Sequence, residues 1–221
     1  MENLFEEYLR PGIYTNSDHP DVVAYAQQQV IGIEDKKEQV IALYYAIRDG
    51  FRYSPYHIIL KPYALKASYL LTKDYGHCIE KSNLFAACVR SLGVPCRLGY
   101  GNVRNHLGTK ILEETLKTDV LVYHGYAEVY LEGNWIKTTP VFNTELCHKL
   151  GVEPLDFDGE KDAIFQKSDK EGKPFMEYIT DHGTFADLPF ETIKSGMQSH
   201  YPHLFKRAIN NSKFIFEFDE S

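Results

Sequence analysis

The chain has 221 residues, a formal net charge of −7 with neutral histidines, and 43% hydrophobic residues, the aromatics alone making up 14%. This is material for one packed domain, and an acidic balance with scattered basic residues excludes nucleic acid as the principal partner. The longest apolar runs are too short to span a bilayer, so no membrane partner is expected.

The N-terminus, Met1-Glu2-Asn3-Leu4-Phe5-Glu6-Glu7, is acidic where a secretion signal would be basic, which makes the cytoplasm the expected compartment. The chain up to about Asn16 reads as an irregular arm. Asp18-His19-Pro20 then opens a helix through Val22, Val23, Ala26 and Val30, with proline in its first turn. Asp35 and Glu38 form a capping pair for a second helix, in which Val40, Leu43, Tyr44, Ile47 and Phe51 recur at helical spacing. Tyr53 to Leu60 reads as extended, and Pro62 to Thr72 as a loop with a short helix. The next helix begins at or near Cys78, carries Leu84, Phe85, Ala87, Cys88 and Leu92 on its apolar face, and stops at Gly93 and Pro95.

Arg97 to Val103 reads as the first core strand, with Gly99 and Gly101 allowing close backbone approach. A polar stretch from Asn105 to Thr109 precedes a short helix near Leu112 to Leu116. Tyr123 to Leu131 alternates and places His124, Tyr126, Glu128 and Tyr130 on one strand face. Gly133-Asn134 serves as a hairpin turn to the Trp135 strand. After Asn143 a short helix runs from Thr144 to Gly151, an acidic, turn-rich stretch from Glu153 to Pro189, a closing helix from Phe190 to Ile209 and a late strand over Phe214 to Phe218.

Chemistry concentrates at Cys78. A helix start leaves backbone N–H groups unpaired and carries the positive end of the helix dipole, both of which stabilise a thiolate and are expected to depress the pKa of a cysteine there. A base is needed next, and His124 supplies one from a later strand. A cysteine at a helix N-terminus followed by a strand histidine is the papain-type order of nucleophile and base.

These segments resemble the transglutaminase-like superfamily of papain-fold cysteine enzymes. One motif is Gly76-His77-Cys78 with its helix and Arg90-Ser91-Leu92-Gly93-Val94-Pro95-Cys96-Arg97. The other is His124, Tyr126, Glu128-Val129-Tyr130-Leu131 and Trp135, and Ile47 to Tyr53 matches the family's upstream helix. The resemblance implies an α+β papain-like, transglutaminase-like core in which N-terminal helices pack on an antiparallel sheet. Residues 1–143 would form the catalytic core and 144–221 an extension packed on it. It also implies thiol-mediated acyl transfer, most simply hydrolysis of an amide or peptide bond, on a peptide, protein or small amide, without cofactor or metal.

The family's third catalytic residue is an Asp before Pro, a position held here by Thr139 before Pro140. A threonine hydroxyl accepts a ring N–H but brings no charge to an imidazolium. A two-residue turn at Gly133-Asn134 would instead set Asn143 opposite His124, and Cys-His-Asn also works; Asp156 and Asp158 are remoter. Tyr75 is a candidate oxyanion donor, Tyr126 a residue packed around the site, and Asn102, Arg104 and His106 candidates for the pocket mouth. His77 is disfavoured as a second base because neighbouring positions on a helix point apart. Cys88, Cys96 and Cys147 read as core thiols, and Asp156, Asp158 and Asp162 as a solvated face rather than a calcium loop. The rival reading, prompted by the missing Asp, is an inactive domain that binds peptides or proteins. Oligomeric state is left open.

Overall fold

A computed structural model describes residues 5–106, 110–166, 168–205, 210–211 and 214–218. Helices α1 (Pro20–Gln29), α2 (Lys36–Gly50) and α3 (Ala67–Leu70) surround α4 (Cys78–Ser91), which packs its remaining side on a four-stranded antiparallel sheet. That sheet runs in the order β6 (Asn134–Thr138), β5 (Val120–Leu131), β4 (Cys96–Asn105) and β7 (Met176–Phe185). The α+β core expected from the sequence is therefore the fold. Two smaller pairings are parallel: β1 (Arg52–Tyr53) with β3 (Tyr75–Gly76), and β2 (His57–Leu60) with β9 (Phe214–Phe218), beside which lies β8 (Asn210–Asn211).

Local signals explain most boundaries. Proline opens α1, and the Asp35 carboxylate accepts the Glu38 N–H at the start of α2. The hairpin between β5 and β6 turns one residue earlier than the sequence suggests. Leu131 pairs with Asn134, and Glu132 and Gly133 both have positive φ, 49° and 91°. A tight turn of this hand needs positive φ at both central positions, which suits Gly133 and strains Glu132. The closing helix also divides: α7 (Phe190–His200) ends before Pro202, whose ring and missing N–H break the ladder, and α8 (Pro202–Phe205) follows. The rest of that expected helix, residues 206–209, lies outside the described residues.

Strand β7 was not anticipated. Its sequence, Met176 to Phe185, is polar and mostly exposed because it is the sheet's edge, with β4 on one side only. The C-terminal stretch thus contributes to the sheet that carries the candidate base. Between α6 (Thr144–Leu150) and β7, residues 162–164 run along the outer edge of β6. Ala163 exchanges hydrogen bonds with the Lys137 and Thr139 backbones, covering what would be an open strand edge.

The tightest polar tie in the core is Lys81, one turn into α4 and completely buried. Its Nζ donates to the carbonyls of Arg48 (2.8 Å), Phe51 (2.6 Å) and Val141 (2.6 Å). Burial pushes its pKa down to about 7, yet three acceptors require three N–H donors, so the ammonium form is the one that satisfies this site. Lys81→Met leaves three buried carbonyls unpaired. It is expected to destabilise the fold by about 3 kcal/mol or more, read as a lowered urea midpoint at unchanged slope.

Candidate active site

Cys78 is the first residue of α4, with His77 as its N-cap. The Glu80 carboxylate accepts the His77 backbone N–H at 3.1 Å and pairs with Lys73 at 2.5 Å, which fixes the helix start. Strand β5 crosses directly over this turn. A Cβ added to Gly125 would stand 3.1 Å from the Ile79 Cα and 3.3 Å from the Cys78 carbonyl oxygen, so any larger residue would press the strand and helix apart by a few tenths of an ångström. Backbone N–H groups of Gly125, Ile79 and Cys78 act on the sulfur.

His124 precedes Gly125, and its aim is set by an irregularity. Gly101 of β4 pairs with His124, but Val103 pairs with Leu121, so two residues of β5 oppose Asn102 alone. Tyr123 takes up this bulge with φ of 55°, a left-handed conformation that costs a tyrosine roughly 1 kcal/mol or more. Asn102 holds it: its Oδ1 accepts the Tyr123 N–H (3.2 Å) and lies 2.8 Å from His182 Nε2. Tyr201 holds the preceding residues, accepting the Val122 N–H and donating to the Val120 carbonyl.

Cys78, His77 and His124 line one small cavity. The sequence disfavoured His77 on helix geometry, but the N-cap residue is not yet helical, and its ring reaches the same space. Among the described residues, neither ring nitrogen of His124 has a hydrogen-bond partner. Phe165 lies edge-on to the imidazole with centroids 5.0 Å apart, and its other side rests on Tyr178 at 4.4 Å.

The electrostatics reverse the expectation for the thiol. Burial pushes Cys78 up to about 11, outweighing the backbone N–H groups that pull it down. Burial pushes His124 down to about 3, with His77 a lesser contributor. Both groups are therefore neutral at pH 7.

The remaining candidates separate. Thr139 is buried and its Oγ1 is unpartnered. Continuing the β5–β6 register past Thr138 sets it across from Tyr126, on the His124 face. The pairing itself ends at Ala127 with Thr138, and the Val141 N–H bonds back to the Thr139 carbonyl, so the chain turns away before Asn143 could stand opposite His124. Asn143 instead accepts the Tyr53 backbone N–H at 3.0 Å. Asp156 lies by Arg48 and Tyr45, and Asp158 accepts the Glu160 and Lys161 N–H groups.

Tyr75 packs on His57 and under the Lys73 ammonium. Tyr126 lies beneath Lys137 and reaches Asp181. Arg104 pairs with Asp119 at 3.1 Å. Asn102 acts on the bulge rather than at a pocket mouth. Glu128, buried against Arg97 at 2.6 Å, is structural. Among the described residues no group of three or more His, Cys, Asp or Glu could hold a metal ion, and no helix is long and apolar enough to cross a membrane.

A family model described as the transglutaminase-like superfamily matches residues 23–140, just over half of the chain. Among solved structures, that of a "Putative Cysteine Protease from Cytophaga hutchinsonii" is 22% identical with a TM-score of 0.49, covering 63% of this chain and 43% of that one. An arylamine N-acetyltransferase from Mycobacterium abscessus is 18% identical with a TM-score of 0.41, covering 61% of this chain and 47% of that one. The chain spans less than half the length of either. No curated protein matches it.

A histidine buried as the neutral imidazole makes stability depend on pH with a definite sign. Its folded pKa lies below the ordinary value of 6.5, so the unfolded chain binds the proton first and stability falls as pH drops from about 6.5 towards 3. Thermal melts of wild type should lose on the order of 3 kcal/mol from this group by about pH 4. His124→Gln, which cannot titrate, should show a correspondingly flatter acid limb.

Proposed function

The chain belongs to the transglutaminase-like superfamily, and from that premise we propose that it is a cysteine enzyme of thiol-mediated acyl transfer, ending most often in hydrolysis of an amide or peptide bond. The observation that carries this reading is the shared cavity: the first residue of α4 supplies a thiol, and a bulge in β5 delivers an imidazole to the same space. Its substrate is a peptide, a protein or a small amide. Four free thiols among the described residues fit a reducing compartment such as the cytoplasm.

The shifts of the two groups support one order of events. At rest the site holds a thiol and a neutral imidazole, so no ion pair waits for substrate. As Cys78 Sγ bonds to the carbonyl carbon, His124 takes the thiol proton. The oxyanion that forms faces the backbone N–H groups at the start of α4 and at Gly125. Collapse breaks the carbonyl–nitrogen bond, and the imidazolium returns its proton to the departing amine. Water, deprotonated by His124, then attacks the thioester and regenerates the thiol. Thr139, carrying the family's carboxylate position, is the hydroxyl on the His124 face that can accept a ring N–H during these steps.

The test is intact-mass detection of a thioester formed with an activated ester. Wild type should take up one acyl group, Cys78→Ala none, and His124→Ala should acylate about 100-fold more slowly or worse. Equal labelling of wild type and Cys78→Ala would remove the thiol from the chemistry. Because the thiol titrates near 11, iodoacetamide should alkylate Cys78 slowly at neutral pH, accelerating about tenfold per pH unit towards that value.

The second reading is a binding module without activity. It is favoured by the unpartnered His124 ring, by a threonine where the family has a carboxylate, and by Phe165 over the imidazole. Thr139→Asp separates the two. In an enzyme it should raise the acylation rate by about tenfold or more and move His124 towards higher pKa by NMR titration. In a binding module the rate stays at the solution background.

A further inference from the structure

The cavity that holds Cys78 has a second one beside it, with part of its wall in common. The first has a volume of about 50 Å³ and the second about 110 Å³. Tyr53, Pro55, Leu112 and Leu121 belong to the walls of both. Beyond that shared wall, the first is completed by Ile58, Leu116 and Met197, and the second by Phe142, Leu146 and Phe175. Among the described residues that line either, there is no Asp, Glu, Lys or Arg. The two histidines present are both driven towards the neutral form by burial. A separate groove of about 780 Å³, whose lining includes Phe165 and Met176, also carries His106, Asp162 and Glu177.

We propose that these two adjoining cavities are the acyl pocket of the thiol site, and that they select an uncharged, apolar acyl group of branched-aliphatic or aromatic type. The proposal rests on the reading of Cys78 as nucleophile, because the occupant of a space walled by that residue is the group it attacks. Size supports it: an apolar protein cavity of ~150 Å³ accommodates one benzene-sized group. Charge supports it too, since a carboxylate or ammonium in this space would lose its hydration and meet no Asp, Glu, Lys or Arg of opposite sign. The separate groove with Asp162 and Glu177 is left for the departing amine or its polypeptide.

The experiment compares p-nitrophenyl esters on the full chain, reading nitrophenolate release and the mass of the protein. In each case the Sγ–carbonyl bond forms, the carbonyl–oxygen bond breaks, nitrophenolate leaves with the electron pair, and His124 receives the thiol proton. Because the leaving group is constant, the series reports the acyl group alone. Acylation by the isovaleryl and phenylacetyl esters is expected to exceed that by the hemisuccinyl ester at least about tenfold. Leu121→Trp fills the shared wall and should lower the phenylacetyl-to-acetyl rate ratio by about tenfold. If the charged hemisuccinyl ester acylates Cys78 as fast as the apolar ones, or the ratio is unmoved in folded Leu121→Trp, the pocket assignment is overturned while the thiol chemistry stands. If no ester releases nitrophenolate faster with wild type than with Cys78→Ala, the nucleophile itself is wrong and both fall. Should Leu121→Trp fail to fold, the wild-type series alone decides.

Discussion

The crossing of β5 over the first turn of α4 is the contact on which the site depends. At Gly125 the strand backbone comes so near Ile79 and Cys78 that a single added methyl would meet main-chain atoms on the helix. Backbone cannot rotate aside as a side chain can, so the missing Cβ of Gly125 is what lets the two elements pack this closely. From that one approach follow the exposure of the sulfur to the Gly125 N–H and the arrival of the neighbouring His124 at the same cavity.

The molecule meets two costs to build this. A tyrosine is held at positive φ beside the base, and Asn102 and Tyr201 supply the hydrogen bonds that keep it there. The strain is local and is offset by those bonds, as is common where a bulge re-aims a functional side chain. The second cost is desolvation. A thiol and an imidazole buried together are both held in their uncharged forms, which lowers resting reactivity but makes every charge that appears during reaction more responsive to nearby dipoles. Helix polarity alone predicts the opposite sign for the thiol. Burial wins because the helix effect is worth about 1 kcal/mol at an exposed terminus, whereas the loss of hydration around even this part-buried sulfur outweighs it.

Much of this was legible in the sequence because it is local. The start of α4 at Cys78, its stop at Gly93, the alternation through His124 and the hairpin after Leu131 are all written in residue type and spacing. What was not legible depends on register and on solvent. The strand pairing ends at Thr138 and the chain turns at Pro140, so Asn143 does not reach the place opposite His124, and the residues Glu132, Gly133 and Asn134 do not by themselves say which two form the hairpin turn. Strand β7 reads as polar loop because an edge strand need not alternate. The bulge at Tyr123 has no sequence signal, since the residue placed there is one that ordinarily avoids such a conformation. Lys81 falls on the apolar face with Leu84, Phe85 and Cys88, but its residue type says nothing of the three carbonyls that receive it.

That buried ammonium also determines which part of the molecule can give way. It bolts α4 to the end of α2 and to the segment after β6, so the nucleophile is anchored to the frame from behind. Phe165, by contrast, sits on a length of chain without helix or long strand, and meets the imidazole edge-on. The helix start that carries the sulfur is thus tied to three other points of the backbone by one side chain, whereas the ring beside His124 has no comparable polar tie among the described residues.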